Sequence, residues 1–280
     1  MWPAEATLAA AAQALGHDAL AWFFAALLAL LAAVGLSGWL LLSHARRGNG
    51  ERLTSVAGLA ARLGLGFAII VAAALLFATL AEAVEAGKVL GRLDNVLSAA
   101  VGQSTPGGAR QVFAWLTHLG DPATLAIVGI VVGVVLLTSG QYALAACWIV
   151  ALAGNAVLNP VLKRVFERAR PVHDQAVALA DGWSFPSGHS SGSVVVFVML
   201  AYVVIRTAPP RWHLPALLAA TAIAFTTGCS RIFLQVHYAT DVIAGFASGI
   251  AWVAICIGSL ETATHYRRRR AHRAQSGEIR

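Results

Sequence analysis

The sequence predicts an all-α integral membrane protein with seven transmembrane helices. The chain has 280 residues, of which 58% are hydrophobic and 12% are charged, whereas about a quarter of the residues in a typical soluble domain are charged. Seven apolar runs approach the ~17–25 residues that cross a bilayer as a helix. The net charge of +7 comes from short loops and a C-terminal tail, which is typical of membrane proteins and argues against a nucleic-acid-binding protein.

The seven runs divide the chain into three predicted segments. They cover residues 19–42, 63–83, 123–138, 142–162, 190–205, 214–229 and 241–260, and the third, fifth and sixth are the shortest. We expect an N-terminal anchor with a basic loop over 1–62, a core over 63–262 and a basic tail over 263–280. Because the first basic residue is Arg46, the N-terminus does not resemble a signal peptide, and the first run is predicted to remain as an anchor.

The arginines predict the orientation of the helices. With seven crossings, three arginine-bearing segments fall on one side, which the positive-inside rule assigns to the cytoplasm. The C-terminus is then cytoplasmic in a multi-pass cell membrane, and the segment after the fourth run lies on the outer face. That outer segment is basic against the rule, which marks it as a candidate functional site. The inner segments hold Arg46, Arg47, Arg52 and Arg62, then Arg206 and Arg211, then Arg267 to Arg270 and Arg273; the outer one holds Lys163, Arg164, Arg168 and Arg170.

The first motif is Lys163 followed seven residues later by Arg170 and then by Pro171. Seven residues make nearly two helical turns, so both cations lie on one face if the helix continues beyond the membrane. Pro171 fits the end of such a helix. Two cations in one cleft favour a phosphate site, and a basic cluster against lipid headgroups is the alternative.

The second motif, Pro186-Ser187-Gly188-His189, opens the fifth run. Ser187 is a good helix N-cap, and the unpaired amides of the first helical turn form an anion site. Gly188 lets an anion approach the backbone closely, and His189 can exchange a proton with it. The alternative is an ordinary cap beside a surface histidine.

The third motif is Ser230-Arg231 with His237 and Asp241 further along the chain. At a spacing of four residues, Asp241 can accept a hydrogen bond from one imidazole nitrogen of His237 and leave the other as a nucleophile. A carboxylate at the membrane edge is costly unless it is paired, which favours a functional role over a purely structural His–Asp contact. All three motifs fall on the predicted outer face.

These motifs resemble the signature of the type 2 phosphatidic acid phosphatase superfamily. That signature reads Lys-x6-Arg-Pro, Pro-Ser-Gly-His and Ser-Arg-x5-His-x3-Asp, and this chain has KRVFERARP, PSGH and SRIFLQVHYATD in that order. The resemblance covers about residues 63–260. It implies a six-helix phosphatase-type core, with the run 19–42 as one extra N-terminal transmembrane helix.

The resemblance also implies a role for each motif residue. His237 would attack phosphorus and become a phosphohistidine, oriented and charge-stabilised by Asp241. His189 would protonate the leaving group and then activate water. The phosphoryl oxygens would be held by Lys163, Arg170, Ser187, Gly188 and Arg231.

No cofactor and no metal ion are expected. No carboxylate cluster suited to a metal lies near the motifs in the sequence, and three cations with a helix N-terminus can neutralise a phosphoryl group by themselves. The expected partners are the membrane and a phospholipid or polyprenyl phosphate substrate, and not nucleic acid. The oligomeric state and the roles of His118 and Asp121 stay open.

Two further segments are predicted to govern substrate access. The stretches 88–101 and 109–119 are amphipathic at helical spacing, with Leu93 and Leu97 on the apolar side of the first. We hypothesise that both lie in the outer interface and guide a lipid to the cleft; a plain connecting loop is the alternative. Headgroup specificity is expected to come from this lid and from the loop 172–185.

Several functions stay open from the sequence alone. The first is a lipid phosphatase acting on a polyprenyl diphosphate such as undecaprenyl diphosphate, on phosphatidylglycerol phosphate or on phosphatidic acid. The second is a lipid-to-lipid phosphotransferase of the same superfamily. A non-enzymatic lipid binder or transporter is a third. Haloperoxidases that look similar at the pocket are soluble enzymes, which disfavours that chemistry here.

Overall fold

The computed structural model describes residues 3–47, 56–84, 88–171 and 182–275, and these residues form ten α-helices and two short 3₁₀ turns. The N-terminal helices are α1 (Pro3–His17), α2 (Ala19–Arg47), α3 (Val56–Ala83), α4 (Val89–Ser104) and α5 (Gly107–Leu116). After the 3₁₀ turn Thr117–Gly120 come α6 (Pro122–Thr138), α7 (Tyr142–Phe166) and α8 (Gly188–Thr207). The turn Pro210–Trp212 leads into α9 (His213–Phe233) and α10 (Ala239–Gln275). Arg52, the loop residues 172–181 and the tail residues 276–280 lie outside the described part of the chain.

The all-helical membrane fold predicted from the sequence is confirmed. Six of the described helices, α2, α3, α7, α8, α9 and α10, are long and apolar enough to cross a membrane. The remaining predicted span corresponds to α6, which has 17 residues. Helix α6 makes a seventh crossing when it is joined to the preceding helical segment, Gly107–Gly120, across a bend of 42°.

Helix α8 lies at the centre of the bundle because it is buried along most of its length. It packs against α7, α9 and α10, and its Val195 and Met199 meet Trp148 of α7 and Val253 of α10 in the largest buried cluster. Glycines let α10 approach α8 closely. A Cβ atom on Gly245 would lie 2.6 Å from the carbonyl oxygen of Ser187, so the start of α8 and the start of α10 are held in direct backbone contact.

The N-terminal helices pack around this core. Helix α2, the extra span predicted from the sequence, lies along α9, and its Phe23 joins an aromatic cluster with Phe113 and Phe233. Helix α3 lies along α10. Helix α1 was not predicted, and it packs against α4, where Gly16 lies close to Ala100 and the backbone of Leu97.

The predicted amphipathic stretch 88–101 forms α4, but its surroundings differ from the expected lid. Leu97 and Val101 pack with Phe23 and Phe113 inside the protein. Asp94 lies two helical turns before Val101, on nearly the same side of the helix, and is only 4% exposed. The apolar face of the helix therefore contacts protein, because α1 and α2 cover the face that the hypothesis had assigned to the membrane interface.

The close contact at Gly245 gives a test of how tightly α8 and α10 are coupled. We expect Gly245→Ala to lower the free energy of unfolding by about 1–3 kcal/mol, because the added methyl group forces the two helices apart. The matched control is Gly258→Ala on the same helix, where a Cβ atom meets no described atom within 4 Å. That change should be neutral or stabilising by up to about 1 kcal/mol. Denaturant unfolding in detergent measures both, and equal stability of the two variants would contradict the expected packing.

Candidate active site

The three sequence motifs meet in one cavity at one end of the bundle. The cavity has a volume of about 910 Å³, and five motif side chains line it: Lys163, Arg170, His189, Arg231 and His237. They come from the end of α7, the loop after it, the first turn of α8, the last turn of α9 and the segment before α10. Among the described residues no carboxylate lines this cavity. The charged side chains in its lining are therefore all cationic, which suits an anion.

The first motif does not lie on one helical face as its spacing predicted. Helix α7 continues through Pro160 but ends at Phe166, because Glu167 adopts a left-handed conformation with φ of 43°. Arg170 therefore lies on the following loop. The two cations still converge, since Lys163 Nζ donates to the carbonyl of Trp183 at 2.7 Å and Arg170 Nη2 donates to the same carbonyl at 3.4 Å. Arg170 Nη1 also donates to the carbonyl of Val236 at 2.7 Å.

The second motif forms the N-terminus of α8 as predicted. Ser187 is the N-cap, and its Oγ accepts from the amide of Ser190 at 3.3 Å. Asn159 of α7 supports this turn by donating to the carbonyl of Pro186 at 3.4 Å. The positive end of the α8 dipole and its first amides therefore lie beside the cavity, at the position where Gly188 and His189 line it.

The third motif places a buried imidazole against a buried carboxylate. His237 Nδ1 lies 3.3 Å from Asp241 Oδ2, and Arg170 Nη1 lies 3.1 Å from His237 Nε2. A guanidinium can only donate, so Nε2 must be the acceptor and Nδ1 carries the proton. Burial lowers the pKa of His237 to about 4, against the opposing effect of Asp241. At neutral pH the imidazole is therefore uncharged, with the Nε2 lone pair directed toward a cation of the cavity.

Arg231 carries a donor that no protein group satisfies. Its side chain is buried at 7% exposure, and Nη1 donates to Thr117 Oγ1 at 2.9 Å. Its Nε is buried and has no hydrogen-bond partner among the described residues. A buried unpaired donor on a cation is expensive. The Arg231 side chain also lines the cavity, where an anion would compensate its charge.

His189 is held by residues to which the sequence assigned no role. Its Nε2 lies 2.9 Å from Asp121 Oδ1, and the other oxygen of Asp121 lies 2.6 Å from His118 Nδ1. Burial would raise the pKa of Asp121, but the hydrogen bonds from His118 and His189 outweigh it and lower that pKa below its usual value. Asp121 therefore stays ionised and accepts from Nε2 of His189, which leaves Nδ1 as the nitrogen that can gain or lose a proton.

Sequence reasoning also missed a buried ion-pair group behind the cavity. Arg168 was noted only as one of the basic residues of the outer segment, but it pairs with both Asp94 and Asp241. One signal pointed to it: the carboxylate of Asp241 at the membrane edge needs a cationic partner. The sequence alone could not say which of the four nearby cations that was.

Comparison with known proteins identifies the family of this chain. A family model described as the PAP2 superfamily matches residues 143–264, which contain all three motifs. The chain is 30% identical over 194 residues to phosphatidylglycerophosphatase B of Bacillus subtilis, covering 63% of this chain and 87% of that protein. This chain belongs to the PAP2 superfamily.

A second relative and a solved structure indicate the class of enzyme that the chain resembles. Lipid A 1-phosphatase of Rhizobium etli is 32% identical over 178 residues, with 55% of this chain and 73% of that protein covered. The crystal structure of a transmembrane PAP2 type phosphatidylglycerolphosphate phosphatase from Bacillus subtilis superposes with a TM-score of 0.64 at 28% identity, covering 69% of this chain and 96% of that one. Together these relatives support a multi-pass membrane lipid phosphatase.

The position of Arg231 in the cavity lining predicts a large contribution to anion binding. We expect Arg231→Met to weaken the affinity for inorganic phosphate about tenfold or more, because a charge-assisted hydrogen bond contributes roughly 1.5–3 kcal/mol. Titration calorimetry in detergent measures this affinity. Arg164→Met removes an exposed cation next to Lys163 on α7 and should change the affinity little. Equal losses in the two variants would mean that net charge, and not the Arg231 donor, binds the anion.

Proposed function

We propose that this protein hydrolyses a phosphomonoester or diphosphate lipid through a phosphohistidine at His237, with no metal ion. One observation carries this proposal: the cavity that collects Lys163, Arg170 and Arg231 at one end continues as an apolar groove between α6 and α7. A phosphate-binding end joined to an apolar groove fits an amphiphile better than a soluble phosphate ester.

The groove supports sideways entry of the lipid chain from the bilayer. Exposed Ile130 and Val134 of α6 face exposed Ile149 of α7 along the cavity. Buried Trp148 forms part of the wall, and its indole is held by a bond from Nε1 to the carbonyl of Gly129 at 2.9 Å. No described residue of α4 or α5 lines the cavity. This lining supports binding of the hydrocarbon chain on the α6–α7 side, away from the amphipathic helices that the sequence suggested as a lid.

In the first chemical step, His237 Nε2 attacks phosphorus and the bond from phosphorus to the leaving oxygen breaks. The proton on Nδ1 stays between His237 and Asp241, and the carboxylate balances the positive charge that develops on the imidazole. His189 donates a proton to the leaving oxygen of the lipid alkoxide or lipid phosphate. The products are the phosphohistidine and a dephosphorylated lipid, with His189 deprotonated.

In the second step, water attacks the phosphohistidine and the nitrogen–phosphorus bond breaks. His189 takes a proton from that water, so it returns to the protonated form in which it began. Inorganic phosphate leaves, and His237 regains the lone pair on Nε2. Asp121 acts throughout by accepting from the other nitrogen of His189, which orients the ring and stabilises its charged form.

The cations of the cavity supply the charge neutralisation that this reaction needs. Phosphoryl transfer depends mainly on positioning and on compensating the negative oxygens. Lys163, Arg170, Arg231 and the N-terminus of α8 surround the cavity with positive charge. Among the described residues, no group of three or more His, Cys, Asp or Glu side chains is arranged to hold a metal ion. Activity in EDTA is the expected behaviour.

The relatives support the substrate class without deciding the headgroup. Their names cover a phosphatidylglycerophosphatase and a lipid A 1-phosphatase, which supports a lipid of the phosphatidylglycerol phosphate type. Lipids of the phosphatidic acid and polyprenyl diphosphate types stay candidates from the family resemblance. The segregation of arginines supports placing the site on the outer face of the cell membrane and the C-terminus in the cytoplasm. The exposed run from Arg267 to Arg270 at the end of α10 fits an inner surface rich in anionic lipid.

The proposed reaction is tested by phosphate release from a panel of purified lipids in EDTA. Wild-type protein should release inorganic phosphate from at least one lipid, and His237→Ala should reduce the rate by about a thousandfold or more, as expected for removal of a nucleophile. His265→Ala, at the far end of α10, serves as the control and should retain the wild-type rate. Strict dependence on added magnesium, or equal rates in His237→Ala and wild type, would contradict the mechanism. Transfer of the phosphate to a second lipid would instead identify a phosphotransferase.

The groove predicts a substitution that separates lipid from soluble substrates. Gly133 of α6 lies in the groove, where a Cβ atom would meet only Trp148, at 3.8 Å, among the described atoms. We expect Gly133→Leu to raise KM for a long-chain lipid about tenfold, since several buried methylene contacts are lost, and to leave hydrolysis of p-nitrophenyl phosphate unchanged. Gly64→Leu on the exposed surface of α3 should affect neither substrate. If KM for the lipid stays at the wild-type value, the chain does not bind between α6 and α7.

A further inference from the structure

We propose that Asp94 and Arg168 are positioning residues for the phosphoryl-transfer reaction, and that they hold the Asp241 carboxylate in the orientation that prepares His237. This inference rests on the proposed function of His237 as the nucleophile. It assigns a functional role to α4, a helix that contains none of the three motifs.

Arg168 bridges two buried carboxylates with its two terminal nitrogens. Nη1 donates to Asp241 Oδ1 at 2.6 Å, and Nη2 donates to Asp94 Oδ2 at 2.8 Å. The side chains of Asp94 and Asp241 are 3% and 0% exposed, and that of Arg168 is 11% exposed. A guanidinium is planar and presents its donors in a rigid fork, so fixing one end of Arg168 on Asp94 also fixes the end that meets Asp241.

The two oxygens of Asp241 have different partners. Oδ1 accepts from Arg168, whereas Oδ2 accepts from the amide of Tyr238 at 2.9 Å and faces His237 Nδ1 at 3.3 Å. Because Arg168 occupies Oδ1, the carboxylate presents Oδ2 to the imidazole. The bond to Oδ2 keeps the His237 proton on Nδ1, so that Nε2 is the reactive atom.

Asp94 is connected to the same group from a second direction. The Thr240 hydroxyl donates to Asp94 Oδ2, and Arg168 Nη1 donates to Thr240 Oγ1 at 2.8 Å. Burial raises the pKa of Asp94, and the bonds from Thr240 and Arg168 oppose that rise. Asp94, Arg168 and Thr240 thus form a closed ring of contacts against Asp241.

Other contacts show that α4 supports the whole segment that carries His237. Tyr238 Oη donates to Asn95 Oδ1 at 2.8 Å, and Gln235 Nε2 donates to the carbonyl of Ser98 at 2.8 Å. The Arg168 guanidinium lies 4.2 Å from the centre of the Tyr238 ring. Residues on both sides of His237 are therefore anchored to α4, while His237 itself lines the cavity.

This arrangement predicts a defect in the chemical step and not in anion binding. Asp94 and Arg168 do not line the cavity, whereas the phosphate-binding cations do. Loss of the Asp94–Arg168 pair should slow phosphorylation of His237 because the carboxylate and imidazole lose their fixed geometry. The affinity for inorganic phosphate should remain close to the wild-type value.

The test compares Asp94→Asn, Arg168→Lys and Arg168→Met with wild type. Single-turnover rapid quench with a ³²P-labelled lipid gives the rate of phosphoryl transfer to the protein, and product inhibition gives Ki for inorganic phosphate. We expect Asp94→Asn to slow transfer about tenfold or more, in the range seen when a supporting partner of a site residue is lost, with Ki within about twofold of wild type. Arg168→Met should be slower still, and Arg168→Lys should recover part of the rate because it retains the charge without the fork.

Two controls separate positioning from general stability. Arg92→Gln breaks the ion pair of α4 with Glu5, which lies 2.5 Å away and outside the site, and should leave both rate and Ki unchanged. The double variant Asp94→Asn/Arg168→Met should be no slower than Arg168→Met, because Asp94 acts through Arg168. If Arg168→Met does not fold, Asp94→Asn and Arg168→Lys decide the question.

The outcomes distinguish this inference from the proposed function. If wild type forms no phosphoenzyme, or His237→Ala still forms one, the proposed mechanism is wrong. If wild type forms it and Asp94→Asn transfers phosphate at the wild-type rate, the positioning role alone is wrong. Fully additive losses in the double variant, or a loss of phosphate affinity as large as the loss of rate, would also overturn it.

Discussion

The structure of the site depends on one fully buried carboxylate, that of Asp241. Its side chain accepts from Arg168 and from the amide of Tyr238 and faces His237. Its backbone carbonyl accepts from the amide of Ser187 at 2.9 Å, which joins the start of α10 to the start of α8. A buried charge is stable only when it is paired and hydrogen-bonded. The buried position of Asp241 therefore requires all of these partners. The geometry of the second and third motifs is therefore set together.

Two charge environments lie on either side of His237. Behind it, the carboxylates of Asp94 and Asp241 enclose Arg168, and the positive charge is satisfied within the protein. In front of it, the cavity presents Lys163, Arg170 and Arg231 with no carboxylate from the described residues in its lining. Lys163 and Arg170 donate to backbone carbonyls, which carry no formal charge that could cancel theirs. The imidazole of His237 thus lies between a closed ion-pair network and a cavity lined by three cations.

The contact at Gly245 shows how the packing of the bundle serves this arrangement. Because Gly245 lets α10 approach the backbone of Ser187, the N-terminus of α8 lies beside Asp241 of α10 and the segment that carries His237. The apolar clusters along α7, α8 and α10 fix the relative height of these helices. Shape complementarity in the interior therefore determines whether five polar side chains from separate segments reach the same cavity.

The sequence by itself determined the helical membrane class, six of the crossings and the residues that share a cavity. It could do so because lipid requires long apolar helices and because the motif residues are of types suited to phosphate chemistry. It did not determine that Arg170 lies beyond the end of α7, because that depends on the left-handed conformation of Glu167. The tertiary structure alone decided the partners of Asp94, Arg168 and Asp121 and the position of the groove between α6 and α7. Periodicity describes one helix at a time, whereas ion pairs such as Asp94–Arg168 join residues far apart in the chain, and only the packing of the helices selects them.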